Sequence, residues 1–430
     1  MVGGSLRDVL LERTPWDWDL TTSALPEQTQ ALFPGARYEN AFGTVAVETE
    51  DPVVGIVEIT TLRSDHAYAD HRRPHRVEFT DSIDADLDRR DLTINAIAWG
   101  AAAGDEPGLV DPHGGQGDLR GRLLRAVGDP RTRFEEDALR MLRTVRLAAT
   151  LGFGIEAKTL AGIHDRAGDV AHLSGERIAE ELRRMLATPV PSVALRLLAD
   201  TGLLAPISAE LARQPGIPQN KIPGEDLWDH TLRAVDGAAL EPHTIRLAAL
   251  LHDIGKPAAM ADGRFLGHDT VGAELADAFL DRLRWPRAER DMVVRLVLHH
   301  MYGYESTWSD AAVRRFIAKI GPDELPALFL LREADNVGSG RERDGGGLAE
   351  IRARVAAQLD AGVVLSVRDL AIDGDDLMAE LGLTPSPRVG EILRDLLARA
   401  VADPSINTRG RLLAIARSIG ADRPDDGTPS

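Results

Sequence analysis

No cysteine occurs in the 430 residues, which excludes disulfides and thiolate metal sites and leaves His, Asp and Glu as the candidate metal ligands. Aromatic residues are scarce at 4% while hydrophobic residues make up 43%, a balance that fits a soluble, helix-rich chain rather than an aromatic-rich β-sandwich. No run of about 18 apolar residues is present, and no basic stretch leads into an apolar core at the N-terminus. A cytoplasmic address without a membrane partner is expected. Lysine is nearly missing: only four (158, 221, 256 and 319) stand among the 50 basic residues, so arginine carries almost all the positive charge. Its planar guanidinium suits bidentate phosphate and base contacts. The net charge of −18 argues against a protein that coats nucleic acid non-specifically, yet it permits a local basic groove.

A chain of this length is expected to hold about two to four domains. In the first hundred residues WDWDLTT, TVAVET and GIVEITTLR read as strands, and SLRDVLLER and TINAIAWGA read as helices. From about residue 134 the pattern turns helical, through FEEDALRMLRTVRLAATLG, ERIAEELRRMLA and PSVALRLLADTGLL. QPGIPQNKIPGED (214–226) reads as a linker, RERDGGG (341–347) as a further boundary, and DRPDDGTPS as a disordered tail.

The stretch GGSLRDVLLERTPWDWDLTT (3–22) carries the first chemistry. On a strand, Asp17, Asp19 and Thr21 share a face while Trp16, Trp18 and Leu20 take the other. Adjacent carboxylates raise each other's pKa unless a divalent cation lies between them. Before them, Gly3-Gly4 leads into a helix with Ser5 as the expected N-cap, a start whose N–H groups, with Arg7, suit a phosphate. In GIVEITTLR, Ile56, Glu58 and Thr60 share a face, offering a third carboxylate at matching depth on a neighbouring strand. A D-x-D pair alone is equally the mark of a solvated strand face. Downstream, LDRRDLTINAIAWG (87–100) places Arg90 and Asp91 before an apolar helix with Asn95 one turn in. In RTRFEEDALRMLRTVR (131–146), Glu136, Arg140 and Arg143 fall on one helix face, with Asp137 three residues before Arg140. An ordinary ion-pair ladder has the same spacing.

GGSLRD, DWD, EITTLR, RRDLTINA and EEDALRMLRTVR follow one another in the order that resembles the class II tRNA nucleotidyltransferases, the bacterial CCA-adding enzymes and their poly(A) polymerase relatives, over about residues 3–210. The resemblance implies an α+β fold: a small mixed-sheet, polymerase β-like nucleotidyltransferase head (1–125), then a mostly α-helical body with a helical neck over 126–213. It implies two Mg²⁺ ions on Asp17 and Asp19, with Glu58 in support, and a triphosphate held by Gly4 and Arg7. It gives Arg90, Asp91 and Asn95 contacts to the sugar and phosphates. Glu136, Asp137 and Arg140 would read the base, with Arg143 nearby. Cytosine and adenine both set an exocyclic amino donor beside a ring-nitrogen acceptor, so one Asp acceptor and one Arg donor fit either. The segment RSDHAYADHRRPHRVEFTDSID (63–84), which has no clean period, matches the flexible segment that switches specificity from C to A, with Asp65, Tyr68, Asp70, Arg72 and Arg73 in corresponding places. Its intact length argues against a CC-only enzyme. Family members carry a further helix and a strand before the glycine pair, so the head is expected to lack its first strand.

LWDHTLRAVD, RLAALLHDIGK, GHD, LVLHH and LREADNVG supply His230, His252, Asp253, His268, His299, His300 and Asp335. Imidazole and carboxylate suit one or two divalent transition ions. The spacing resembles the HD phosphohydrolase domain, which implies a site on His230, His252, Asp253 and Asp335, with His268, His299 and His300 as further candidates. A linker (214–225), an HD domain (226–345), a C-terminal helical domain (346–421) and the tail (422–430) complete the expected organisation. The expected partners are tRNA, CTP and ATP, with no DNA. A-only addition, poly(A) synthesis, and an HD phosphohydrolase with an RNA-binding head remain alternative functions.

Overall fold

The computed structural model describes every residue except 16, 39–42, 52–53, 69–73, 103–104, 220 and 422–430, and describes 65–68, 74–77 and 420–421 by backbone alone. Trp16, Asp70, Arg72, Arg73 and the expected tail therefore lie outside the described residues. The chain divides into two compact units, residues 1–217 with 277–287, and residues 218–276 with 288–430.

The first unit opens with a helix over Gly3–Leu10 and a four-stranded sheet: β1 (Trp18–Thr22), β2 (Arg37–Tyr38), β3 (Thr44–Glu48) and β4 (Ile56–Thr61), in the order β1-β4-β3-β2. β1 runs parallel to β4, while β3 is antiparallel to both its neighbours, giving the expected mixed sheet. Val45 and Ile59 are buried from it. The segment from 63 onward is not a plain loop: β5 (Arg63–Tyr68) and β6 (Pro74–Phe79) form an antiparallel hairpin, with Asp65 and Tyr68 on β5. TINAIAWGA was expected to be a helix; it makes one 3₁₀ turn, Thr93–Asn95, and then a strand over Ala98–Gly100. Tertiary packing overrides its helical pattern: Leu92, Ile94 and Ile97 bury completely beside Leu6, Leu124 and Leu147.

The helical part begins with two helices where one was expected, Pro130–Glu136 and Leu139–Leu151. Asp137 takes extended angles between them and accepts a hydrogen bond from the Leu139 amide at 3.0 Å. Asp competes with helical backbone in this way. Gly175–Leu186 and Pro191–Asp200 follow as expected.

In the second unit, helices over Leu227–Gly237, Thr244–Leu251 and Leu325–Gly338 bury Leu227, Ile245, Leu250 and Leu331. Towards the C-terminus, Gly374–Leu381, Pro387–Ala402 and Arg409–Ala421 enclose Leu377, Leu396 and Leu412. Among the described residues, no helix is long and apolar enough to cross a membrane.

Candidate active site and metal centre

The carboxylate site is assembled where the first helix meets β1. Ser5 is not the N-cap; the cap position is Val2, and Ser5 is fully buried inside the first turn. Its Oγ donates to the Val2 carbonyl at 2.9 Å and lies 3.3 Å from both the Asp19 amide and carbonyl, so it fastens the helix to β1. Asp17 stands just before β1, exposed, and Asp19 lies on it. Glu58 pairs directly with Asp19 in the parallel register of β1 and β4, which puts these two acids on one face of the sheet, and the Asp17 charge acts on Asp19 from just before β1. Burial, reinforced by the Asp17 charge, raises the Asp19 pKa above its ordinary value despite Arg90, Arg143 and Arg7. A partly desolvated carboxylate beside a second one fits a divalent cation.

The phosphate-binding candidates surround these acids. Arg7 grips Asp8 through Nε and Nη2, both at 2.8 Å, and donates to the Asn95 side chain at 2.9 Å. Arg90 donates to Asp86 at 3.2 Å, and Arg89 binds the same carboxylate at 2.6 Å. Asp91 accepts from Asn95 at 3.0 Å and from Arg143 at 2.8 Å. Burial opposes the Asp91 charge, but Arg143, Asn95 and Arg140 hold its carboxyl well below the usual range. Asp91 in turn raises the Arg143 pKa. Although the helix breaks at Asp137, Arg140 still pairs with Glu136 and also donates to the Arg89 carbonyl at 2.9 Å. Asp137 is held by Arg177 at 2.7 Å.

A second cluster lies in the second unit. His230, His252 and Asp253 form one buried set of candidate ligands, and Asp253, His268 and His300 form another. One carboxylate thus serves both: Asp253 Oδ2 is 3.2 Å from the Nε2 of His230 and of His252, and Oδ1 is 3.4 Å from His268 and 3.6 Å from His300. Asp335 Oδ1 adds a contact to His230 at 3.4 Å. His268 Nδ1 sits 2.7 Å from the Phe265 carbonyl and His300 Nδ1 sits 2.6 Å from the Val297 carbonyl. A carbonyl only accepts, so in the neutral form of each ring Nδ1 carries the proton and Nε2 presents a lone pair. Those two Nε2 atoms lie 3.3 Å apart. Two such lone pairs at that separation cannot bond each other, and a cation beside them would resolve the conflict. Burial lowers the His300 pKa, which favours the neutral, ligating form. His299 is not part of either set; it is the last residue of the Arg287–His299 helix and only half-buried.

Comparison with known proteins finds family matches over both regions of the chain. Residues 1–125 match the Poly A polymerase head domain, 152–214 the probable RNA and SrmB-binding site of polymerase A, and 205–340 the HD domain. The chain is 34% identical over 449 residues to the CC-adding tRNA nucleotidyltransferase of Thermus thermophilus, covering 100% of this chain and 95% of that one. It belongs to the CCA-adding enzyme family of tRNA nucleotidyltransferases. The CCA-adding enzyme of Geobacillus kaustophilus is 41% identical over 258 residues, 56% of this chain and 60% of that protein. The chain therefore spans less than two thirds of that relative in the match. The crystal structure of the Bacillus stearothermophilus CCA-adding enzyme in complex with CTP superposes with a TM-score of 0.70 at 28% identity, covering 98% of this chain and 93% of that one.

Several residues of this family member escaped the sequence reading. Gly3, not Gly4, is the constrained glycine: its φ is +69°, and a Cβ there would lie 2.6 Å from Arg90 Nη1 and 3.5 Å from Asp19 Oδ2. Asp86 collects Arg89 and Arg90 from inside the fold, and Arg177 reaches Asp137 from 40 positions away, a pairing with no local signal. Lys256 donates to Asp253 at 2.6 Å and Lys221 to Asp335 at 3.4 Å. Two of only four lysines end at the histidine cluster, and that scarcity was the available signal.

Proposed function

We propose that the chain adds C, C and A to the 3′ end of tRNA from CTP and ATP, releasing pyrophosphate. The observation that carries this reading is the register that sets Glu58 opposite Asp19 with Asp17 alongside, within the influence of Arg7, Arg90 and Arg143. Family membership and the CTP-bound neighbour support it. Asp17 and Asp19, aided by Glu58, would hold two Mg²⁺ ions, which supply Lewis-acid stabilisation to the attacking and leaving oxygens. The remaining work falls to the protein side chains. Gly4, Arg7 and Arg90 cradle the triphosphate, while Asp91 and Asn95 fix the arginines and the sugar. The tRNA 3′-hydroxyl is thereby aligned with the α-phosphate.

Base choice rests on Asp137 and Arg140, with Glu136 holding the guanidinium. Guanine and uracil present the reverse donor and acceptor order, leaving buried groups unpaired at a cost of about 1–3 kcal/mol each. Asp65, Tyr68, Asp70, Arg72 and Arg73 belong to the segment assigned to the change from C to A. A cytoplasmic location follows from this substrate.

The lone-pair conflict between His268 and His300 favours a second activity, in which His230, His252, Asp253, His268, His300 and Asp335 hold divalent transition ions for phosphoester hydrolysis. Labelled CTP and ATP incorporation into tRNA tests the first activity. Asp19→Asn is expected to abolish it and to spare any Mn²⁺-dependent phosphoester hydrolysis, which Asp253→Asn should remove. Loss of both activities in Asp19→Asn would contradict the assignment to separate centres.

A further inference from the structure

Beside the histidine cluster lies a cavity of about 180 Å³, walled by Tyr302, Tyr304, Arg332, Arg341 and the glycine loop at 345–346. Aromatic side chains number 19 in the whole chain, yet Tyr302, Tyr304, Trp308, Phe316 and Phe329 pack against one another here, three of the contacts edge to face and Tyr302–Phe316 tilted. The Arg332 guanidinium lies over the Tyr302 ring, 4.4 Å from its centroid. The same arginine donates to the His300 carbonyl at 2.7 Å and comes within 3.8 Å of Asp335, so it joins the cavity to two residues of the cluster.

The loop RERDGGG is shaped against this wall. Asn336, next to Asp335 and buried, donates to the Arg343 and Gly345 carbonyls at 3.0 and 3.1 Å. Gly347 has φ +79°, and a Cβ there would lie 2.8 Å from the Tyr304 ring, so only glycine lets the loop lie flat on it. Arg341 lines the cavity, exposed, and its side chain makes no hydrogen bond or ion pair among the described residues. The Tyr302 hydroxyl is buried, with the Arg332 side chain as its polar neighbour.

We propose that this cavity is a nucleobase subsite of the histidine centre, taking the base of a ribonucleotide whose phosphate ester is presented to the His/Asp cluster. The proposal rests on the reading of that cluster as a phosphoester hydrolase. The volume is below the roughly 300–1,000 Å³ of drug-sized pockets and suits one flat ring. Aromatic faces and guanidinium planes are the surfaces on which bases stack, and the free Arg341 and the Tyr302 hydroxyl supply polar partners for a base edge. In the hydrolysis itself, water oxygen bonds to phosphorus, the ester P–O bond breaks, and the ribose oxygen leaves with a proton.

The test uses the full chain loaded with Mn²⁺ and compares hydrolysis of adenosine monophosphate with that of ribose 5-phosphate, which has no base. Tyr304→Ala and Arg341→Ala should each raise KM for adenosine monophosphate about tenfold. Values of kcat and all ribose 5-phosphate parameters should stay unchanged, and Tyr304→Phe should behave as the unaltered chain. Equal losses on both substrates, or no change on either, would overturn the subsite. If the unaltered chain hydrolyses neither compound, the hydrolase reading fails. Equilibrium dialysis of labelled adenosine then decides the subsite alone: weakening by about tenfold in Tyr304→Ala upholds it, and unchanged binding overturns it.

Discussion

Asp19 on β1 stands directly opposite Glu58 on β4 in parallel register. Parallel neighbours at one register position put their side chains on one face of the sheet, so the relationship fixes where an ion and a triphosphate can be received. Asp19→Asn and Glu58→Gln should each lower nucleotide addition, the former by at least about a hundredfold. Steady-state incorporation of labelled CTP measures both.

The raised Asp19 pKa also sets a stability effect in metal-free protein. A carboxyl whose folded pKa lies above its unfolded value costs stability while ionised, and the cost disappears as pH falls through the folded value to the unfolded one. Asp19→Asn should therefore melt higher than the unaltered chain at pH 7, with the gap closing as pH falls to the model-peptide value of 3.8. Thermal melting in EDTA from pH 7 to pH 3.5 tests the sign. A lower melting point for the variant at pH 7 would contradict it.

Asp91 predicts the opposite dependence. Its depressed pKa contributes stability that is full above 3.8 and is lost as pH falls towards the folded value. Asp91→Asn removes a charge-assisted bond to Arg143 and should destabilise by about 1.5–3 kcal/mol at pH 7, with the difference shrinking below pH 3.8. Urea denaturation at several pH values reads it out.

Gly3→Ala forces a side chain into a left-handed position facing Arg90, a strain of about 1–2 kcal/mol before the steric clash is counted. It should lower both the melting temperature and nucleotide affinity. Gly4→Ala meets only ordinary contacts with Arg7, the nearest at 3.7 Å, and should do much less. Titration of CTP against both variants distinguishes the two glycines.

The alternation of strand acids was legible from a local period, whereas the arginine motifs and the histidine set were legible through their order and their resemblance to known families. Long-range partners had no such trace. Nothing local marks Arg177 as the holder of Asp137, and Asp86 reads as one acid among several in SIDADLD. TINAIA kept a helical pattern although Leu92, Ile94 and Ile97 bury on several sides at once, a demand that a 3₁₀ turn and a strand meet. Neighbouring histidines were equally eligible by composition. The end of the Arg287–His299 helix turns His300, not His299, towards Asp253.

Metal content probes that choice. The full chain should bind two transition ions per molecule at the histidine centre, shared through Asp253. His300→Ala should lose one of them and His299→Ala neither, as counted by elemental analysis after loading with Mn²⁺. Chelation should lower the melting temperature of the unaltered chain, since binding to the folded state alone stabilises it.

On the proposed function, one carboxylate site and one Asp137–Arg140 pair serve both C and A. Incubation of the chain with Mg²⁺, labelled CTP and ATP, and three tRNAs ending before CCA, before CA and before A tests it most directly. All three should be completed to CCA and extended no further. Addition to none of them, C addition without the final A, completion of only the tRNA lacking its last A, or open-ended A addition would each contradict it.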